Sequence, residues 1–318
     1  MENTAMENTR TKTTRNSLIL LLTAAIWGMA FVSQSKGMDY MHPFTFNGVR
    51  SLIGAASILV YILISRKIAG DKAAPLDWKL NVKAGLLCGI FLTIASTLQQ
   101  FGIKYTSVGK AGFITTLYII FVPMFGIFLK KKVAPVVWAA AVMAAVGMYL
   151  LCMTESLRLG AGDIMVFLCA IAFAIQIMTV DHYAAGIDGA VVSCIQFTVC
   201  GVVCCIGALI WGQPTFGQLQ EGLGALLYAG VLSCGVGYTL QIVGQKGLNP
   251  TVAALIMSLE SVIATISGWI AYKIGFLTTD QTLTARQIAG CVIVFAAVIL
   301  VQLPPEWFRF GKKNASLK

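Results

Sequence analysis

The sequence predicts an all-α integral membrane protein with ten transmembrane helices arranged as two inverted five-helix repeats. Three observations point there. The 318 residues are 58% hydrophobic and 11% charged, with mean hydropathy +0.82, whereas a soluble domain is about 25% charged. Apolar runs of roughly 20 residues recur along the whole chain, each long enough to cross about 30 Å of hydrocarbon. The second half of the chain also echoes the first at a nearly fixed offset.

In order, the runs lie near 17–35, 44–65, 83–103, 107–129, 134–152, 163–181, 190–211, 222–244, 251–272 and 285–303. Pro43 and Pro135 open spans two and five, where a missing backbone N–H is harmless. "LNPT" puts Asn249 and Pro250 at the start of span nine, and "LPPEW" at 303–307 stops span ten. Pro123 falls inside span four and is expected to bend it. Residues 1–16 are polar and repeat their own start, which suggests a disordered cytoplasmic tail. Residues 17–152 and 163–303 form the two five-helix units, and 304–318 a basic cytoplasmic tail. The first run reads as a span rather than a signal peptide, because no small-residue cleavage site clearly follows it.

Orientation follows from Lys and Arg. With the N-terminus inside, sixteen fall in the cytoplasmic segments and six in the opposite ones, with Arg50 within a span. Both termini are therefore expected in the cytoplasm of a multi-pass cell-membrane protein. The formal charge of +10 reads as topology and attraction to anionic lipid; no nucleic-acid partner is expected.

"TLQQFGIKYTSVGKAGF" (97–113) aligns with "TLQIVGQKGLNPTVAAL" (239–255) at an offset of 142, which pairs Gln99 with Gln241. In the last span the offset is about 150, pairing "AAAVMAAVGMYLL" with "AGCVIVFAAVILV". Five is odd, so the second unit enters the membrane from the other side. Secondary transporters use this layout, with a site near the midplane at the repeat interface.

Several segments resemble the EamA-type transporters of the drug/metabolite transporter (DMT) superfamily. They are "AIWGMAFVSQ", "FNGVRSLIGAASI", "GDIMVFLCAIAFAIQIM", "SLESVIATISGWI" and "TARQIAGCVIVFAAVIL", within 17–303. The resemblance implies two inverted repeats around a central cavity and efflux of amino acids, other metabolites or drugs. Many such relatives carry a second Glu at the cytoplasm-distal end of span nine. Here the text reads "AYKIGFLTTD", so a mechanism that depends on that carboxylate does not carry over.

The interior polar residues are the candidate substrate-cavity groups. Glu260 lies about ten residues from either end of its span, at an insertion cost of roughly 2.5–3.5 kcal/mol. Its helix face carries Met257 and the small residues Ala253, Ala264, Ser267 and Gly268, which turn it toward protein. It is either a group that takes up a proton or touches substrate, or a clamp on a neighbouring helix. Cys234, Tyr238, Gln241 and Gln245 form one polar stripe in span eight, and Ser96 and Gln99 match two of them in span three. A polar stripe in a membrane helix needs a neighbouring helix or a wet cavity. The offset makes Tyr118 the counterpart of Glu260 and Thr115 that of Met257. Trp27, Gln34 and Gln176 complete the set. Arg50 reads as an ion-pair partner or topological anchor more than a substrate contact, and Gln196 stands opposite it in the weaker match of span two to span seven.

The nine cysteines lack ligand spacing, and His42 and His182 fall at opposite membrane faces. No cofactor, metal or catalytic set is expected, and the chain is not read as an enzyme. Two classes of function remain: a secondary transporter of a small-molecule substrate, with proton coupling as a candidate, or a non-transporting scaffold or intramembrane enzyme. The repeat and the paired glutamines favour the transporter.

Overall fold

The structure, a computed structural model, describes residues 2–70, 75–106, 108–130, 133–152, 160–278 and 282–302. These residues are helical nearly throughout and contain no strand. In chain order the helices are α1 (Glu2–Gly37), α2 (Pro43–Ala69), α3 (Trp78–Ile103), α4 (Val108–Phe128) and α5 (Pro135–Cys152). They continue as α6 (Ala161–Tyr183), α7 (Gly189–Gly212), α8 (Leu223–Gln245), α9 (Pro250–Lys273) and α10 (Ala285–Gln302). A short helix, Phe216–Glu221, joins α7 to α8. Eight helices, α1 from Thr13 onward and α2, α3, α4, α6, α7, α8 and α9, are long and apolar enough to cross a membrane. The apolar stretches of α5 and α10, Pro135–Leu150 and Ala285–Val301, are shorter.

The joints are built from their own residues. Pro43, Pro135 and Pro250 each open a helix, and Asn249 caps α9 by accepting from the Thr251 N–H at 2.9 Å. Asp188 caps α7 by accepting from Ala190 and Val191. At the start of α2 the imidazole Nδ1 of His42 accepts from the Phe44 N–H. Burial, and secondarily Lys104, holds that imidazole below its usual range, which keeps the nitrogen an acceptor.

Three features depart from expectation. Residues 2–16, expected as a disordered tail, continue α1 as helix, since a nucleated helix extends at little cost per residue. The discontinuity in α4 falls at Leu117, six residues before Pro123, and α9 has a matching one at Ser258. Tyr228–Gly237 of α8 is π-helical. The stop at 303–307 and the basic tail at 304–318 lie outside the described residues.

The packing of the halves is reciprocal. α2 lies along α7, α5 along α10, and α4 packs on α9. α3 packs on α6 and α7 just as α8 packs on α1 and α2. Glycines set the closest approaches: a Cβ on Gly147 of α5 would stand 2.9 Å from the carbonyl oxygen of Gly290 in α10. Polarity is the reverse of a soluble fold. Leu63, Val202 and Ile206 are exposed on the outside, while Gln99, Gln176, Gln241 and Glu260 are buried. That arrangement suits a lipid surround and a polar axis.

Candidate functional site

The discontinuities in α4 and α9 give the site its centre. Tyr118 opens the half-helix after Leu117, and Glu260 lies in the first turn after Ser258. The Tyr118 hydroxyl donates to Glu260 Oε1 at 3.0 Å. The residues related by the 142 offset therefore touch each other midway along their helices. Broken helices that aim their half-helix ends at a buried polar group are the usual way an intramembrane site is built.

Around this pair lies a cavity of about 40 Å³. Gln99 and Gln241 face it from α3 and α8, Gln34 and Gln176 from α1 and α6. Gln99 donates its amide N–H to the Thr115 hydroxyl at 3.2 Å. Gln241 donates to Gln176 at 3.1 Å, and Gln176 donates to Gln196 at 3.4 Å. Trp27 and Tyr238 wall the cavity with ring centroids 4.5 Å apart, and the Trp27 indole N–H donates to the Ser233 carbonyl. Glu260, Tyr118, Thr115, Gln99, Gln241, Tyr238, Trp27, Gln34 and Gln176 all line this one space. Gln245, the last residue of the stripe in α8, is buried but lies outside it.

Arg50 was expected as an ion-pair partner or topological anchor. It is 5% exposed and lines the cavity. Among the described residues the ion pairs are Lys36–Asp39 and Lys110–Asp163, and Arg50 has none. Its Nε donates instead to Asn47 Oδ1 at 3.0 Å, and its guanidinium lies 5.5 Å from the Phe46 ring centre. The cavity carboxylate is already engaged by Tyr118, and the turn to Asn47, one helical turn back, keeps the guanidinium inside. A guanidinium held by one neutral side chain keeps N–H groups for an anion.

Contacts between the halves lie toward both ends of the bundle. At the end where α1 begins, Asn16 donates to the Lys246 carbonyl at 2.7 Å, and within the second half Lys246 donates to the Ile187 carbonyl at 2.6 Å. Asn81 also accepts from the Asp188 N–H there at 2.8 Å. At the far end Lys110 pairs with Asp163 at 2.6 Å, and Thr106 donates to the same carboxylate. A volume of about 40 Å³ holds water but no metabolite, since ligand pockets usually measure about 300–1,000 Å³. Among the described residues, no group of three or more His, Cys, Asp or Glu is placed to hold a metal ion.

The model of the EamA-like transporter family matches the chain twice, over residues 15–153 and 160–303. An uncharacterized transporter of Archaeoglobus fulgidus is 27% identical over 290 residues, 89% of this chain and 84% of its own length. The uncharacterized transporter YwfM of Bacillus subtilis is 24% identical, covering 91% of this chain and 94% of its own. A solved crystal structure superposes with a TM-score of 0.71 at 16% identity, over 93% of this chain and 99% of that one. That likeness is one of fold.

Proposed function

Because the chain belongs to the EamA-like transporter family, we propose that it exports amino acids or other small metabolites or drugs by alternating access. In this reading α5 and α10 also cross the membrane, giving ten spans as two inverted units, 17–152 and 163–303. Both termini face the cytoplasm across the cell membrane. The candidate residues bind the substrate, and Glu260 is the candidate site of proton coupling.

The observation that carries the reading is the Tyr118–Glu260 contact: residues 142 apart meet inside a cavity that the two halves close together. A scaffold has no use for a polar interior of this kind. The double match to one family model supports two units, and the reciprocal packing of the helices supports their exchange. Counterflow in proteoliposomes, screened over amino acids and nucleosides, tests the function. Labelled solute should accumulate transiently against unlabelled solute of the same kind, and a complete lack of counterflow across the panel would count against export of these classes.

Topology has its own test. Reporters fused after Lys132 and after Lys318 are expected to report a cytoplasmic location, and one after Gly160 an external one. A cytoplasmic signal at Gly160 overturns the ten-span arrangement.

A further inference from the structure

The cavity is symmetric in sequence and asymmetric in its hydrogen bonds. Gln241, Gln176 and Gln196 form a chain across α8, α6 and α7, at 3.1 and 3.4 Å. Their counterparts are Gln99 and Gln34, both at the offset of 142, and Arg50, at 146. These three belong to α3, α1 and α2 and all line the cavity, yet they are not joined to one another. Gln99 is bonded to Thr115 and Arg50 to Asn47. Gln34 is 4% exposed, and its Oε1 is buried with no hydrogen-bond partner. One half has closed its three-residue chain, and the other holds the three counterpart residues apart.

We infer that in the oppositely facing state Gln99, Gln34 and Arg50 close into a chain, so that Gln34 takes Arg50 away from an anionic group of the substrate. The inference rests on the alternating-access reading above, in which the two units exchange conformations. The second half shows that this fold can bring such a trio together.

The chemistry of Arg50 fixes the direction of the bonds. Gln196 accepts from Gln176, but a guanidinium has no acceptor, so the chain in the first half must run the other way. Arg50 would donate to Gln34 Oε1, the buried oxygen now without a partner, and Gln34 Nε2 would donate to Gln99 Oε1. In the present state the guanidinium is offered to the cavity, where it suits a carboxylate or similar anion. In the opposite state an internal acceptor competes with that anion. A site that binds the same anion well on one side and poorly on the other releases it on the second. Gln34 acts through Arg50 and is a positioning residue.

Hydrogen–deuterium exchange on the full-length protein in nanodiscs tests this without knowledge of the substrate. Gln176→Leu breaks the chain that is closed here, and Gln34→Leu removes the chain of the opposite state. The two variants should move backbone exchange at the two ends of the bundle in opposite senses. Whichever end Gln176→Leu deprotects by roughly tenfold, the effect of the two neutral hydrogen bonds it removes, Gln34→Leu should protect. The double variant should return toward wild type. Gln34→Met, similar in length and unable to bond, serves where Leu does not fold. If both variants shift exchange in the same sense, or Gln34 variants leave it unchanged, the inference is overturned. Asp163→Asn, which weakens the far-end ion pair, checks the premise. If it loosens the far end with no answering protection at the near end, alternating access fails and the inference falls with it. If it shows the answering change while the glutamine variants do not, only the inference falls.

Discussion

Glu260→Gln is expected to leave the protein folded in the membrane while cutting accumulation driven by a pH gradient by roughly tenfold or more, within the usual range of a coupling energy. Gln has the same length as Glu and keeps an oxygen able to accept from the Tyr118 hydroxyl, so the bond between α4 and α9 survives. What it loses is the capacity to take up and give back a proton. A carboxyl whose surroundings alternate between dry and wet changes its proton affinity between the two, and coupling needs that difference. Counterflow needs no proton drive and should persist in the variant. Tyr118→Phe supplies the contrast, because it removes the donor and leaves the carboxyl. If Glu260 is only a helix clamp, Tyr118→Phe should weaken the protein while Glu260→Gln transports with the wild-type pH profile. That profile in Glu260→Gln would falsify the coupling role.

Much of the architecture was legible because a bilayer imposes length and polarity on every span. Apolar runs marked the eight membrane-length helices and the two shorter ones, α5 and α10, within a few residues at most ends, and Pro43, Pro135 and Pro250 marked three starts directly. Depth singled out Glu260, the offset of 142 added Gln99, Gln241 and Tyr118, and the structure puts all four around one cavity. The same offset holds a further signal: "AFVSQ" at 30–34 lies over "AFAIQ" at 172–176, which pairs Gln34 with Gln176. Only three of those five residues agree, so the match is easily passed over without the spatial pairing. The direction of Arg50 was not legible, because hydropathy gives the depth of a charge and not the way its side chain points. Its partner Asn47 lies only three residues away, one helical turn back. The discontinuities at Leu117 and Ser258 carry no Gly or Pro to announce them. Contacts such as Lys246 to Ile187 use backbone carbonyls, which no residue pattern reveals.

The packing of α9 between its neighbours gives the other large effect. Gly28 of α1 and Gly112 of α4 both face α9, and a glycine at either place could allow close approach. The structure separates them. A Cβ on Gly28 would stand 2.6 Å from the Ile263 Cβ and 2.8 Å from the Glu260 carbonyl oxygen. Neither is the flexible end of a long side chain, so α9 itself must move. A Cβ on Gly112 would meet the Ala264 Cβ at 3.5 Å and the Ser261 Cα at 3.6 Å, ordinary contact distances. Gly28→Ala is therefore expected to destabilise the protein by about 1–3 kcal/mol, the usual cost of overpacking. Because the displaced backbone carries Glu260, the bond to Tyr118 should lengthen and transport fall with it. Gly112→Ala gains the helix preference of Ala, up to about 1 kcal/mol, and loses nothing to sterics. Thermal unfolding in detergent should thus rank Gly112→Ala at or above wild type and Gly28→Ala clearly below it. Equal melting of the two variants would mean that α9 does not rest on α1 at Gly28, and that the position of Glu260 is set from the α4 side alone.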